Sequence, residues 1–173
     1  LRTAKVAAAI PAPLTMSIIP GTPYAMEVAD LGARRGKEVM LHMPMAAVRT
    51  AVSDPLVLDK QLPVADISQR VQEALLSVPG AAGMNNHMGS RVTENEVLIA
   101  EILRYCRAHG LFFFDSKTAY NSVVERVAGH EHSHYEGRDV FLDIQHDRAS
   151  VRKAWESTVA KARRQGYAIA IGH

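Results

Sequence analysis

Leu14-Thr15-Met16-Ser17-Ile18-Ile19-Pro20-Gly21-Thr22-Pro23, followed some ten residues later by Arg34-Arg35-Gly36-Lys37-Glu38-Val39-Met40-Leu41, decides the fold. Leu14 to Ile19 is a short apolar run closed by Pro-Gly, the pattern of a buried strand. Thr22 and Pro23 then suit the cap and first position of a helix. Two arginines favour the negative end of that helix, and Gly36 stops it. Glu38 to Leu41 is a second apolar run. Strand, helix and strand joined this closely imply a parallel pair with a right-handed crossover.

The same alternation continues outward. Asp66 to Val78 places Ile67, Val71, Ala74, Leu75 and Val78 on one helical face, with Asp66 and Gln69 spaced as a capping box. A short strand ends at Met84. Thr93 and Glu96 form a second capping box for a helix to about Ala108, with Val97, Ala100, Leu103 and Cys106 inward. Leu111 to Phe114 is a strand, Asn121 to Ala128 a short helix, and Val140 to Leu142 a strand. Val151, Trp155, Val159 and Ala162 mark a last helix that stops at Gly166, before a strand at Tyr167 to Ile171. Arg2 to Ala9 reads as a helix. Six strands are thus expected, in one domain over residues 1–173. A helix at the start and a strand at the end suggest that both ends are cut and that a first strand is missing.

Composition narrows the function. Hydrophobic residues make up 47% and charged residues 22% of 173 positions, the balance of a globular domain. A net charge of +2, with no basic stripe interleaved with aromatics, argues against nucleic acid as a partner. The single cysteine, Cys106, excludes an internal disulfide framework. No segment is long and apolar enough to span a membrane, and nothing at the start resembles a signal peptide.

In a parallel α/β sheet the active site forms past the C-terminal strand ends. His42, then Asn85-Asn86-His87, then Asp115-Ser116-Lys117-Thr118, then Asp143, then Gly172-His173 follow successive strands. Histidine and carboxylate are the usual ligands of catalytic zinc. Each has a plainer reading when taken alone: a histidine bonded to a carbonyl, an aspartate capping a turn, asparagines in a turn. Convergence across five strand ends favours a site.

Other polar features weigh less. His130-Glu131-His132-Ser133-His134 looks like a metal tract, but it lies between a helix and a strand, at the opposite edge of the sheet. His109 suits a helix C-terminus. His146 follows a strand only after a short interval and is an outsider. The long connection from Met43 to Ala65 is either a binding loop or a surface excursion.

Five stretches occur in order: Lys37-Glu38-Val39-Met40-Leu41-His42-Met43-Pro44-Met45, Gly83-Met84-Asn85-Asn86-His87-Met88-Gly89-Ser90, Phe113-Phe114-Asp115-Ser116-Lys117-Thr118, Arg138-Asp139-Val140-Phe141-Leu142-Asp143 and Ala170-Ile171-Gly172-His173. Together they resemble the divergent polysaccharide deacetylase family, relatives of the NodB-type carbohydrate esterases. The resemblance implies a deformed (β/α) barrel of about seven parallel strands, a variant of the eight-stranded barrel. It implies hydrolysis of N-acetyl or O-acetyl groups on a carbohydrate with a divalent metal, zinc foremost, and a cell-envelope or periplasmic setting.

In NodB-type relatives an aspartate pair after the first strand supplies a ligand and a base, a His-x-x-x-His pair supplies two ligands, and a late histidine is general acid. By that resemblance His42 is a ligand, His87 replaces the second histidine and His173 is the acid. Asp115 would serve as base or third ligand, with Asn85, Asn86, Ser116 and Asp143 binding substrate. Ala46 stands where the second histidine, or a glutamate of divergent members, is expected, and the aspartate pair is absent. A catalytically silent glycan-binding or regulatory domain of the same fold is therefore the alternative, and a metal hydrolase for a non-sugar substrate is a third reading.

Overall fold

A computed structural model describes residues 1–49 and 53–173. The three residues between, which belong to the long Met43–Ala65 connection, lie outside the described residues. In chain order the elements are α1 (Arg2–Ala9), β1 (Thr15–Ile18), α2 (Ala25–Arg34), β2 (Glu38–Met45), α3 (Val64–Leu76), β3 (Gly83–Met88), α4 (Glu96–Ala108), β4 (Phe112–Asp115), α5 (Val124–Glu131), β5 (Tyr135–Gly137), β6 (Val140–Phe141), α6 (Arg148–Gln165) and β7 (Ala170–Ile171).

All strand pairings are parallel, and the first five strands lie side by side in the order β1-β2-β3-β4-β5. Sequential order of this kind is the winding of a (β/α) barrel. A doubly wound sheet would reverse direction at its middle. Each crossover turns the same way, so one layer of helices covers one face. There Ile18, Val39, Leu41, Met43, Met45, Met84 and Phe113 of the strands pack on Ala29, Ile67, Val71, Ile99, Ile102, Leu103 and Val127 of the helices. The other two strands, β6 and β7, form a separate parallel pair, with no ladder to the five-stranded sheet among the described residues. Among the described residues the wall is an open, alternating α/β arrangement rather than a closed ring.

Several local expectations are corrected. Seven strands are present where six were read. The missed one is β5, three half-buried residues ending in glycine, with little apolar content to mark it. Two strands run further than their apolar runs: β2 continues through His42 to Met45, and β3 through Asn85-Asn86-His87 to Met88. Neither capping box forms. Asn95, not Thr93, caps α4 by accepting from the Leu98 N–H, while Thr93 is buried and donates to the Gly89 carbonyl. Gln69 bonds Glu73 instead of the start of α3, and Pro63 precedes that helix. Helix α2 begins at Ala25, since Thr22 donates back to the Ile19 carbonyl. On α4, Val97 faces solvent and Leu98, Ile99 and Ile102 face the core. The His130 to His134 tract spans the end of α5 and the approach to β5, at the N-terminal edge of the sheet.

Candidate active site

Strand periodicity sorts the polar residues onto two faces. Successive side chains alternate, so residues two apart share a face. In register, His42 pairs with Asn85, Pro44 with His87, and Asn85 with Phe114. His42, Asn85 and His87 therefore stand on the face away from the helices, as does Ser116, two residues past Phe114. Asn86 and Asp115 fall on the helix side.

On the first face the side chains form one hydrogen-bonded chain. His87 Nδ1 lies 3.1 Å from His42 Nε2, and His42 Nδ1 lies 2.9 Å from Asn85 Oδ1. An amide oxygen only accepts, so His42 carries its proton on Nδ1 and presents a lone pair at Nε2, which His87 Nδ1–H then meets. Ser17 Oγ donates to the same Asn85 oxygen, and Asn85 Nδ2 donates to Ser116 Oγ at 3.1 Å. The two imidazoles meet edge to face, with ring centroids 4.8 Å apart. Burial pushes the His42 pKa down, the Asn85 hydrogen bond opposes this, and the charges of His87 and His173 add to the fall, leaving it at about 4. His87 is lowered by burial first and by His173 second, with Asp54 opposing. Both rings are thus held neutral, the form that binds metal.

The fit to a divalent cation can be tested on this geometry. Two nitrogens each about 2.0–2.1 Å from a tetrahedral zinc stand about 3.3 Å apart. The observed 3.1 Å separation has one proton where such an ion would sit. Asn85 fixes the tautomer and orientation of His42, as the outer partner of a ligating histidine does. Chemistry and spacing fit, but the set is short. Among the described residues no third histidine, cysteine or carboxylate joins the pair into a three-ligand group.

Asp115 is 1% exposed, and its oxygens accept from the Lys117 N–H at 2.7 Å and Ser122 Oγ at 2.6 Å. The family resemblance makes it a base or third ligand beside the histidines; strand parity instead turns it to the opposite face, where it shapes the turn after β4. Asn86, also fully buried, accepts from the Ser116 N–H and donates to the Met88 carbonyl and Thr118 Oγ1. It binds the ends of β3 and β4 together. Asp143 accepts from the His173 backbone N–H at 2.6 Å and lies 3.2 Å from its Nδ1. Burial raises the Asp143 pKa, but these bonds outweigh it and hold the carboxyl below its usual range. The polar residues thus form a His42–His87–Asn85–Ser116 group on the five-stranded sheet and an Asp143–His173 pair on the β6–β7 unit.

Residues not singled out from sequence also contribute. Ser17 comes from the middle of β1, and its alternation with Met16 and Ile18 was the available signal. Arg138 donates through Nε to the Ser116 carbonyl and through Nη2 to that of Lys117. In the sequence it only opens the Arg138–Asp143 stretch, with no role attached to it.

This sheet, with its histidine pair on one face, belongs to a known class of α/β proteins, and the chain is a member of the divergent polysaccharide deacetylase family, whose sequence profile matches residues 1–173. It is 32% identical over 165 residues to the uncharacterized protein YibQ of Escherichia coli (strain K12), covering 95% of this chain and 52% of that protein. It is 33% identical over 165 residues to an uncharacterized protein of Haemophilus influenzae (strain ATCC 51907 / DSM 11121 / KW20 / Rd), covering 95% of this chain and 59% of the relative. The chain thus spans about half the length of the curated relatives it matches. Its fold is that of the crystal structure of uncharacterized protein ATU2773 from Agrobacterium tumefaciens C58, with a TM-score of 0.91 at 20% identity, covering 99% of this chain and 72% of that one.

Proposed function

We propose that the chain carries the histidine ligands and the proton donor of a metal-dependent hydrolase that removes acetyl groups from a carbohydrate. The observation that carries this reading is the 3.1 Å approach of His42 Nε2 to His87 Nδ1, with Asn85 fixing the tautomer. His42 and His87 would hold a divalent cation, zinc by the all-nitrogen character of the pair. When bound, such an ion polarises an acyl oxygen and acidifies water.

The chain's own residues supply the rest. Ser17 and Ser116 hydrogen-bond Asn85, and Asn85 holds His42 in place before any ligand arrives. His173 is tethered through its backbone N–H and Nδ1 to Asp143, which leaves Nε2 to hand a proton to the departing amine or hydroxyl as the acyl bond breaks. A carbohydrate is supported by two exposed aromatics, Tyr24 after β1 and Tyr120 after β4. Both lie in connections at the C-terminal ends of strands, where a sugar ring would stack.

Two measurements test this. Zn²⁺ titrated into the protein should bind at one site, and His42→Ala or His87→Ala should abolish that binding. Acetylated oligosaccharide should release acetate only with added Zn²⁺. Unchanged Zn²⁺ binding in both variants would end the metal assignment. A second reading, a silent glycan-binding domain of the same fold, is favoured by the two-ligand set and by Ala46, a buried methyl where the family resemblance asks for a ligand. Glycan binding without acetate release would select it.

A further inference from the structure

We infer that Arg138 is the positioning residue that sets where His173 stands relative to the His42–His87 pair; this rests on the reading of those histidines given above. The starting point is a mechanical problem. His42 and His87 belong to the five-stranded sheet and His173 to the β6–β7 unit, and no strand ladder joins the two among the described residues. A proton donor is useful only if held at a fixed distance from the acyl group, so something else must fix it.

Arg138 lies in the two-residue link between β5 and β6. Its donors meet three successive carbonyls at the end of β4 and in the turn that follows: the backbone N–H reaches Asp115 O at 2.9 Å, Nε reaches Ser116 O at 2.7 Å and Nη2 reaches Lys117 O at 2.9 Å. Lys117 adopts a left-handed φ of 47°, and Asp115 accepts its N–H, so this turn has a defined shape for the arginine to grip. The gripped turn is continuous with the site. Ser116 accepts from Asn85, and Asn85 holds His42.

The other side of the guanidinium faces the second unit. Its central carbon stands 3.7 Å from the centroid of the Phe141 ring, in the geometry of a cation–π contact. Phe141 in turn stacks with His173, at 6.2 Å between centroids and 24° between planes. The path His42–Asn85–Ser116–Arg138–Phe141–His173 therefore crosses from one sheet to the other through a single planar cation. Its edge donates to carbonyls and its face covers an aromatic ring. A lysine carries the charge but has neither the fork nor the flat face.

The test uses Arg138→Lys and Phe141→Leu. The first keeps the charge, and the second keeps the carbonyl grip while removing the stack. The position of His173 is read from its imidazole NMR signals, which sense the Phe141 ring, and the metal pair is read from Zn²⁺ affinity. The expected result is displaced His173 signals in Arg138→Lys, where the sensing ring is still present, with unchanged Zn²⁺ affinity in both variants. In an active parent, kcat should fall about a hundredfold with KM little altered, as a displaced catalytic group would produce. His173 signals that stay in place in folded Arg138→Lys would overturn the assignment. So would a loss of Zn²⁺ affinity alongside the shift, which would make Arg138 a general prop. Should Arg138→Lys fail to fold, Arg138→Gln, which also leaves the Phe141 ring in place, makes the same comparison. A parent that neither takes up Zn²⁺ nor releases acetate defeats the functional reading, and the His173 signals still decide the role of Arg138.

Discussion

His42 shows how burial and hydrogen bonding set the state of one side chain. Its ordinary pKa of 6.5 falls to about 4 in the fold. Above pH 6.5 the ring is neutral in both folded and unfolded chains, and the shift contributes nothing. Between 6.5 and 4 the unfolded chain takes up a proton that the folded chain refuses. Stability of the metal-free protein should therefore drop on acidification, by on the order of 3 kcal/mol from this group, and level off below pH 4. His87, lowered in the same direction, adds to the loss. Urea unfolding across this range checks it: His42→Gln should flatten the slope, and parallel curves for parent and variant would exclude His42 as the source. Asn85 is the second residue whose removal is informative. Asn85→Ala strips partners from Ser17, His42 and Ser116 together, and should cost about 2–3 kcal/mol. Zn²⁺ affinity should fall about 10- to 100-fold, as loss of a ligand's outer partner does. Calorimetric titration that finds equal affinity would show that Asn85 does not orient the ligand.

At the scale of elements, the exit of β3 is the critical turn. Gly89 has a φ of +90°, and a Cβ there would lie 2.9 Å from Met45 Cβ and 3.2 Å from Asn86 Cβ. Gly89→Ala should thus meet both backbone strain and a clash two residues from His87, costing more than about 2 kcal/mol. Gly110 is a fair control, with a φ of +68° and open space around it, and Gly110→Ala should cost only about 1 kcal/mol. Equal midpoints for the two variants in urea would mean that the turn after β3 yields easily. The same turn shows what the sequence could reveal. Helices were legible from their apolar stripes, and the strand starts from Val39-Met40-Leu41 and Phe112-Phe113-Phe114. The strand ends were not, because asparagine disfavours strands by propensity, and Asn85 and His42 are held there by partners on neighbouring strands. The identities of the polar residues at the C-terminal edge were readable. Their division between two faces was not, because it needs the register that aligns His42 with Asn85 and Asn85 with Phe114. Hence Ser116 and Asp115, adjacent in sequence, face opposite sides.

In the whole molecule, cohesion is unevenly spread. The core cluster draws on β1 to β4 and on α2 to α5, whereas in α6 only Thr158 is buried and Trp155 is exposed. The β6–α6–β7 unit should therefore open at lower free energy than the rest. Hydrogen exchange should show the α6 and β7 amides exchanging well before those of α4 and β2, and uniform protection across the chain would contradict this.

Each strand of the five-stranded sheet after β1 pairs with the one translated just before it. No strand has to wait for a later one to be inserted between its neighbours, as the first strand of a doubly wound sheet must. On a ribosome the growing chain can then add one strand and its helix at a time to an edge that already exists. A nascent chain that has emerged through α4 already holds β1, β2 and β3, with Ser17, His42, Asn85 and His87 on them, so the histidine pair can assemble before His173 has been translated.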